Sequence, residues 1–137
     1  VCHKLPLCYN FDSTHIILIR YGINSMSVSK PGTPVRGSQS GRPVMVLLDL
    51  LGRRMCLRIL WELRDSCLRF RALQMAAETN PAVLNSRLGE LRAAMLVELT
   101  ADGYQLTPQG KELIDLVLPM HAWAETWSRT IAEDEVV

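Results

Sequence analysis

Apolar positions fall into two regimes along the chain. From Val44 to Leu63 they recur at 44, 47, 48, 51, 55, 59, 60 and 63, a wide helical stripe with Pro43 where a first-turn proline belongs. This predicts one long, largely buried helix. Phe70, Leu73 and Ala77 share one side of a short second helix. Asn80-Pro81 then offers an N-cap and a first-position proline for a third, which runs to about Met95 with Val83, Leu84, Leu88 and Leu91 turned inward. The period then changes to two. Leu96–Thr100 and Tyr104–Thr107 read as strands joined by Ala101-Asp102-Gly103, and Asp-Gly between alternating segments is a strong hairpin signal. Thr107-Pro108 opens a last helix to about Thr130, which Pro119 is expected to kink or divide. Its apolar positions continue past that point, at 120, 123, 124, 127 and 131.

The N-terminal stretch obeys neither period. Ser25 to Gly41 is rich in Ser, Pro and Gly, and such a segment buries too little surface to offset its ordering entropy. We read residues 1–42 as a flexible extension, 43–131 as the folded domain and 132–137 as an acidic tail. Val1 is an unusual first residue, and Met26 is a candidate true start that would leave residues 1–25 untranslated; a genuine extension with a short strand at Ile16–Ile19 is the alternative.

The predicted order of helix, helix, helix, hairpin and long helix makes a mainly α fold with a small β-hairpin: a winged helix-turn-helix. A major groove about 12 Å wide admits one helix, braced by the helix before it. With 84, 88 and 91 facing the core, the third helix turns Ala82, Asn85, Ser86, Gly89 and Arg87 outward, and Arg87 is the leading single candidate for a DNA contact. Asn can bond adenine there, and Arg guanine or phosphate. Asn80 stands at the start of this helix. Arg69 and Arg71, at the start of the second helix, suit phosphates; Arg53 and Arg54 are weaker candidates. The competing role for Arg87 is an intrahelical pair with Glu90 at i,i+3.

Charge sharpens this picture only locally. The net charge is +1, but Arg53–Arg92 holds eight arginines against four acidic residues, while the chain from Ala93 onward is strongly acidic. A basic middle suits a nucleic-acid face. At 137 residues and 48% hydrophobic, the chain has room for one domain with a real core. No apolar run approaches the roughly 18 residues needed to cross a bilayer, and a cytoplasmic protein is expected.

The remaining chemistry-bearing residues favour plain roles. Cys56 and Cys67 read as small packed hydrophobes before redox switches. Cys2, His3, Cys8 and His15 match no common zinc spacing, so no metal is expected. His121 reads as a packing residue, and Trp61, Trp123 and Trp127 as core or dimer anchors. Three histidines without a matched nucleophile or carboxylate pair, and no Gly-rich phosphate loop, argue against an enzyme; no cofactor is expected.

Several runs resemble those of HxlR-type regulators: Leu50-Leu51-Gly52-Arg53-Arg54 with Leu57-Arg58-Ile59-Leu60-Trp61-Glu62-Leu63, Leu68-Arg69-Phe70-Arg71-Ala72-Leu73, and the stretch from Asn80 to Leu91. Leu96-Val97-Glu98, the run Tyr104–Leu113 and Trp123-Ala124-Glu125-Thr126-Trp127 complete the likeness. The resemblance covers about Pro43 to Arg129. It implies a transcriptional regulator that binds double-stranded DNA as a homodimer through its first and last helices. On that basis Leu47, Leu51, Leu118, Trp123 and Trp127 are candidate interface residues. Where many members carry Cys-Pro this chain has Arg42-Pro43, so sensing is not carried over, and any small-molecule effector is left open. Met55 stands where the family often has Trp, and the acidic wing tip at Asp102 would repel phosphate. The rival reading is a winged-helix dimer that binds protein and little or no DNA.

Overall fold

The computed structural model describes residues 28–134, with side chains described to Ala132. Cys2, His3, Cys8, His15, the Ile16–Ile19 run and Met26 lie outside the described residues. The elements are α1 (Pro43–Leu51), α2 (Cys56–Glu62), α3 (Phe70–Ala76), α4 (Pro81–Ala93), β1 (Val97–Leu99), β2 (Tyr104–Leu106) and α5 (Pro108–Asp134). This is the winged helix-turn-helix that the periodicities predict, with one correction.

The correction concerns the long opening helix, which is two helices. Gly52 closes α1, its N–H bonding the Leu48 carbonyl, and Met55 sits at φ +74° just before α2. The physical reason lies in where the buried residues point. At about 100° per residue, a straight helix would set Cys56 roughly 120° away from Leu50. The left-handed turn at Met55 re-aims the chain, so that Val46 and Leu50 from α1 and Cys56, Ile59, Leu60 and Leu63 around α2 are all buried. Two members of the predicted stripe, Val44 and Leu48, remain exposed. The last helix runs through Pro119, as the apolar positions beyond it predict, so the proline does not divide α5. Pro119 is exposed, so the backbone acceptor it leaves unpaired lies on the solvent side.

One core joins these elements. Leu73 and Ala77 from the α3 region, Leu84, Leu88 and Leu91 from α4, Val97 and Leu106 from the hairpin, and Leu113 and Ile114 from α5 pack with the α2 residues. The strands pair antiparallel, Val97 with Leu106 and Leu99 with Tyr104. Leu68 extends the hairpin by one bridge, its N–H and carbonyl both bonded to Tyr104. Gly103, at φ +143°, allows that approach, since a Cβ there would stand 2.6 Å from the Leu68 carbonyl oxygen. Arg58 ties α2 to the end of α3 by donating to the Ala76 carbonyl at 3.0 Å while paired with Glu62.

Residues 28–42, read from sequence as part of an extension, form a set of turns. Gly32 N–H bonds the Gly41 carbonyl, Val35 and Ser38 exchange backbone bonds, and Val28 packs partly buried against the core. None of the helices among the described residues is long and apolar enough to cross a membrane.

Candidate nucleic-acid interface

The site is built on the start and outer side of α4. Asn80 has extended backbone (φ −85°, ψ 157°), and its side-chain oxygen accepts the Val83 N–H at 2.8 Å. This satisfies one of the free donors at the helix start. Leu84, Leu88 and Leu91 are then fully or nearly fully buried, which fixes the side turned outward. On that side Ala82 and Asn85 are exposed, and Ser86 and Gly89 are partly so. A Cβ on Gly89 would meet nothing within 4 Å. The described residues therefore leave this side uncovered, and its side chains are small or amide.

α3, the preceding helix, contributes charge. Arg69 is its N-cap residue and Arg71 lies in its first turn; both are exposed, and among the described residues neither guanidinium has a partner. Cations at a helix start gain nothing from the helix dipole, so these two charges are available to an external anion. At the hairpin tip, Ala101 and Asp102 are exposed, and no base extends the wing.

Arg87 departs from the outward placement expected of it. Its Nε donates to the Arg54 carbonyl at 3.0 Å, and Nη1 donates to Glu90 Oε1 at 2.6 Å. Its side chain is only 22% exposed. The cause is a group that sequence reasoning did not single out beyond the i,i+3 pair. Glu90 is buried, and the left-handed turn at Met55 brings Arg53 onto the same carboxylate at 3.3 Å. Arg53 also bonds Asp49 at 3.2 Å. Burial works against the Arg53 cation, but the Asp49 hydrogen bond and the Glu90 and Asp49 charges outweigh it and hold its pKa above the ordinary value. No sequence signal marks Arg53 for this role, because the contact spans 37 positions of chain.

The candidate dimer residues divide in two. Leu118, Trp123 and Trp127 on α5 are exposed, at 41%, 63% and 52%, and the two Trp rings stack 5.9 Å apart. Leu47 and Leu51 on α1 are instead partly buried against the protein's own core. His121 packs its ring on Trp61 at 5.2 Å, and the Arg64 guanidinium lies over the Trp61 ring at 4.5 Å from its centre. Cys56 is inaccessible. Burial, with the Glu90 charge second, pushes its thiol up to about 11 against the opposing Arg87 and Arg53. It is protonated at neutral pH and a poor nucleophile. Cys67 is exposed. Among the described residues no group of His, Cys, Asp and Glu is arranged to hold a metal ion.

Comparison with known proteins agrees with this geometry. A family model described as HxlR-like helix-turn-helix matches residues 50–132, more than half of the chain. No curated protein matches it. Among solved structures, the crystal structure of quinone-bound YodB from B. subtilis is similar at 29% identity and a TM-score of 0.59, over 61% of this chain and 97% of that one. With the helix-turn-helix, its hairpin and all but the last two residues of its long closing helix inside the matched region, the chain belongs to the HxlR-like helix-turn-helix family of DNA-binding transcription regulators.

Proposed function

We propose that the protein is a sequence-specific regulator that binds DNA as a homodimer, with α4 in the major groove of a two-fold symmetric operator. The observation that carries this reading is the uncovered outer side of α4, where Ala82, Asn85 and Ser86 follow the Asn80 cap. Small side chains let the helix approach base edges closely. Asn85 has the amide geometry to pair with adenine. Arg69 and Arg71 supply phosphate contacts that set register. Arg87 acts in this reading mainly as a buttress, since its guanidinium is already engaged.

The other exposed face supports dimerisation. Beyond Val117, α5 turns Leu118, Met120, Trp123, Trp127 and Ile131 to solvent, and Val44 and Leu48 of α1 add to the exposed apolar surface. Aromatic anchors of this kind typify the centre of protein interfaces. A two-fold dimer would present its two α4 helices to half-sites about one helical turn, roughly 34 Å, apart. Leu47 and Leu51 would support the interface from below by holding α1 in place.

One observation favours the adaptor reading: the wing tip carries Asp102 and no base. Selection of bound duplexes from a random library by the purified protein separates the two. The regulator reading predicts enrichment of one two-fold symmetric sequence. An adaptor would enrich nothing.

A further inference from the structure

Glu90 is the one charged residue buried among the described residues, at 3% exposure. It lies on α4 between Gly89 and Leu91, on the boundary between the core and the side turned outward. Oε1 receives both Arg87 Nη1 at 2.6 Å and Arg53 Nη1 at 3.3 Å, while Oε2 is buried without a hydrogen-bond partner. A carboxylate so placed is a poor source of stability. Its desolvation is only partly offset by the ion pairs, and an apolar side chain of similar size often packs as well or better. An unsatisfied buried oxygen adds to that cost.

What the carboxylate supplies is direction. Leu84, Leu88 and Leu91 grip α4 through apolar contacts, which are non-directional. The ion pairs are directional, and both lead to the turn between α1 and α2. Arg53 belongs to that turn and is anchored in turn by Asp49 on α1. Arg87, held by Glu90, reaches the Arg54 carbonyl of the same turn. The recognition helix is thus fastened to a left-handed turn of fixed geometry at two adjacent points. The same bonds keep the Arg87 charge away from the surface.

We propose that Glu90 is a positioning residue for DNA recognition, setting the roll of α4 through Arg53 and Arg87 and keeping the Arg87 cation from indiscriminate phosphate binding. This rests on the DNA-binding reading above. Glu90 touches no base or phosphate, so its signature lies in discrimination. With the carboxylate neutralised, α4 loses its fixed roll and Arg87 becomes free to pair with any phosphate. Affinity for a selected operator should fall while affinity for random duplex holds or rises, with a steeper salt dependence for random duplex.

The test compares binding of the full chain and its Glu90→Gln variant to the selected operator and to a scrambled duplex of equal length. We expect the ratio of the two affinities to drop at least about tenfold in the variant, roughly 1.4 kcal/mol. A merely structural role would lower both affinities together and leave the ratio unchanged, and that result overturns the proposal. If Glu90→Gln shows no cooperative melting, Arg53→Gln decides in its place, a lowered ratio supporting the proposal and the parent's ratio refuting it. A parent chain that does not discriminate the duplexes at all overturns the DNA reading itself, and this inference with it.

Discussion

The outer side of α4 and the second half of α5 are both left uncovered by the described residues, but they expose opposite chemistry. α4 presents Ala82, Asn85 and Gly89, residues of low apolar area that water or a polar ligand can meet. α5 beyond Val117 presents Leu118, Met120, Trp123, Trp127 and Ile131, which gain from removal of water. Each helix is held by the same kind of buried face: Leu84, Leu88 and Leu91 on one, Leu113, Ile114 and Val117 on the other. Burial alone therefore does not distinguish them. The residues left outside do, and under the proposed function one surface suits a duplex and the other a second copy of the chain.

The largest effect should come from the apolar surface. Replacing Trp123 and Trp127 together by Ala should weaken the dimer by about 2–4 kcal/mol. Sedimentation at graded concentrations reads the loss, and the helical circular dichroism of each protomer should persist because both rings are exposed. An unchanged dimer would break the contrast at α5. On α4, Asn85→Ala should cost about 1–3 kcal/mol in operator binding and leave the melting temperature in place. Loss of folding without loss of discrimination would mean that Asn85 belongs to the protein and not to the interface.

Gly89→Ala separates the needs of the fold from those of the site. The added methyl meets no neighbour, so the free protein should gain roughly 1 kcal/mol in chemical denaturation. Operator affinity should not rise with it, because the methyl intrudes on the side turned to DNA. The smallest structural effect is expected at Cys67, where substitution by Ser should shift stability by no more than about 0.5 kcal/mol. Iodoacetamide should label Cys67 at neutral pH and spare Cys56, as peptide mapping can resolve. The sign follows from the raised thiol pKa. The folded state holds the Cys56 proton more tightly than the unfolded state, so this group's contribution to stability is intact below pH 9.0 and is lost as pH climbs toward about 11.

How legible each region was in the sequence depends on whether its turns use residues that announce themselves. Asn80-Pro81, Asp102-Gly103 and Thr107-Pro108 mark the start of α4, the hairpin and the start of α5, and all three stand where they were expected. The break before α2 was hidden because the left-handed position is taken by Met55, and because apolar residues on both sides imitate one stripe. Glu78 and Met95 likewise adopt positive φ without being glycine, at 51° and 58°. At Pro119 the proline and the apolar positions beyond it gave opposing signals, and the helix continues as the apolar positions indicate. At the site, the outward set on α4 was readable from the leucine spacing alone. The i,i+3 pair of Arg87 with Glu90 was readable too, but its bond to the Arg54 carbonyl, 33 positions away, was not.

The central claim is that α4 meets a duplex with its uncovered side. It is tested most directly by the affinity for the selected operator, measured by fluorescence anisotropy across a salt series alongside a scrambled duplex. Phosphate neutralisation by Arg69, Arg71 and their symmetry mates predicts a log–log slope of about −3 to −4, with the operator preferred at every salt concentration. A shallow slope with equal, weak binding to both duplexes would contradict it.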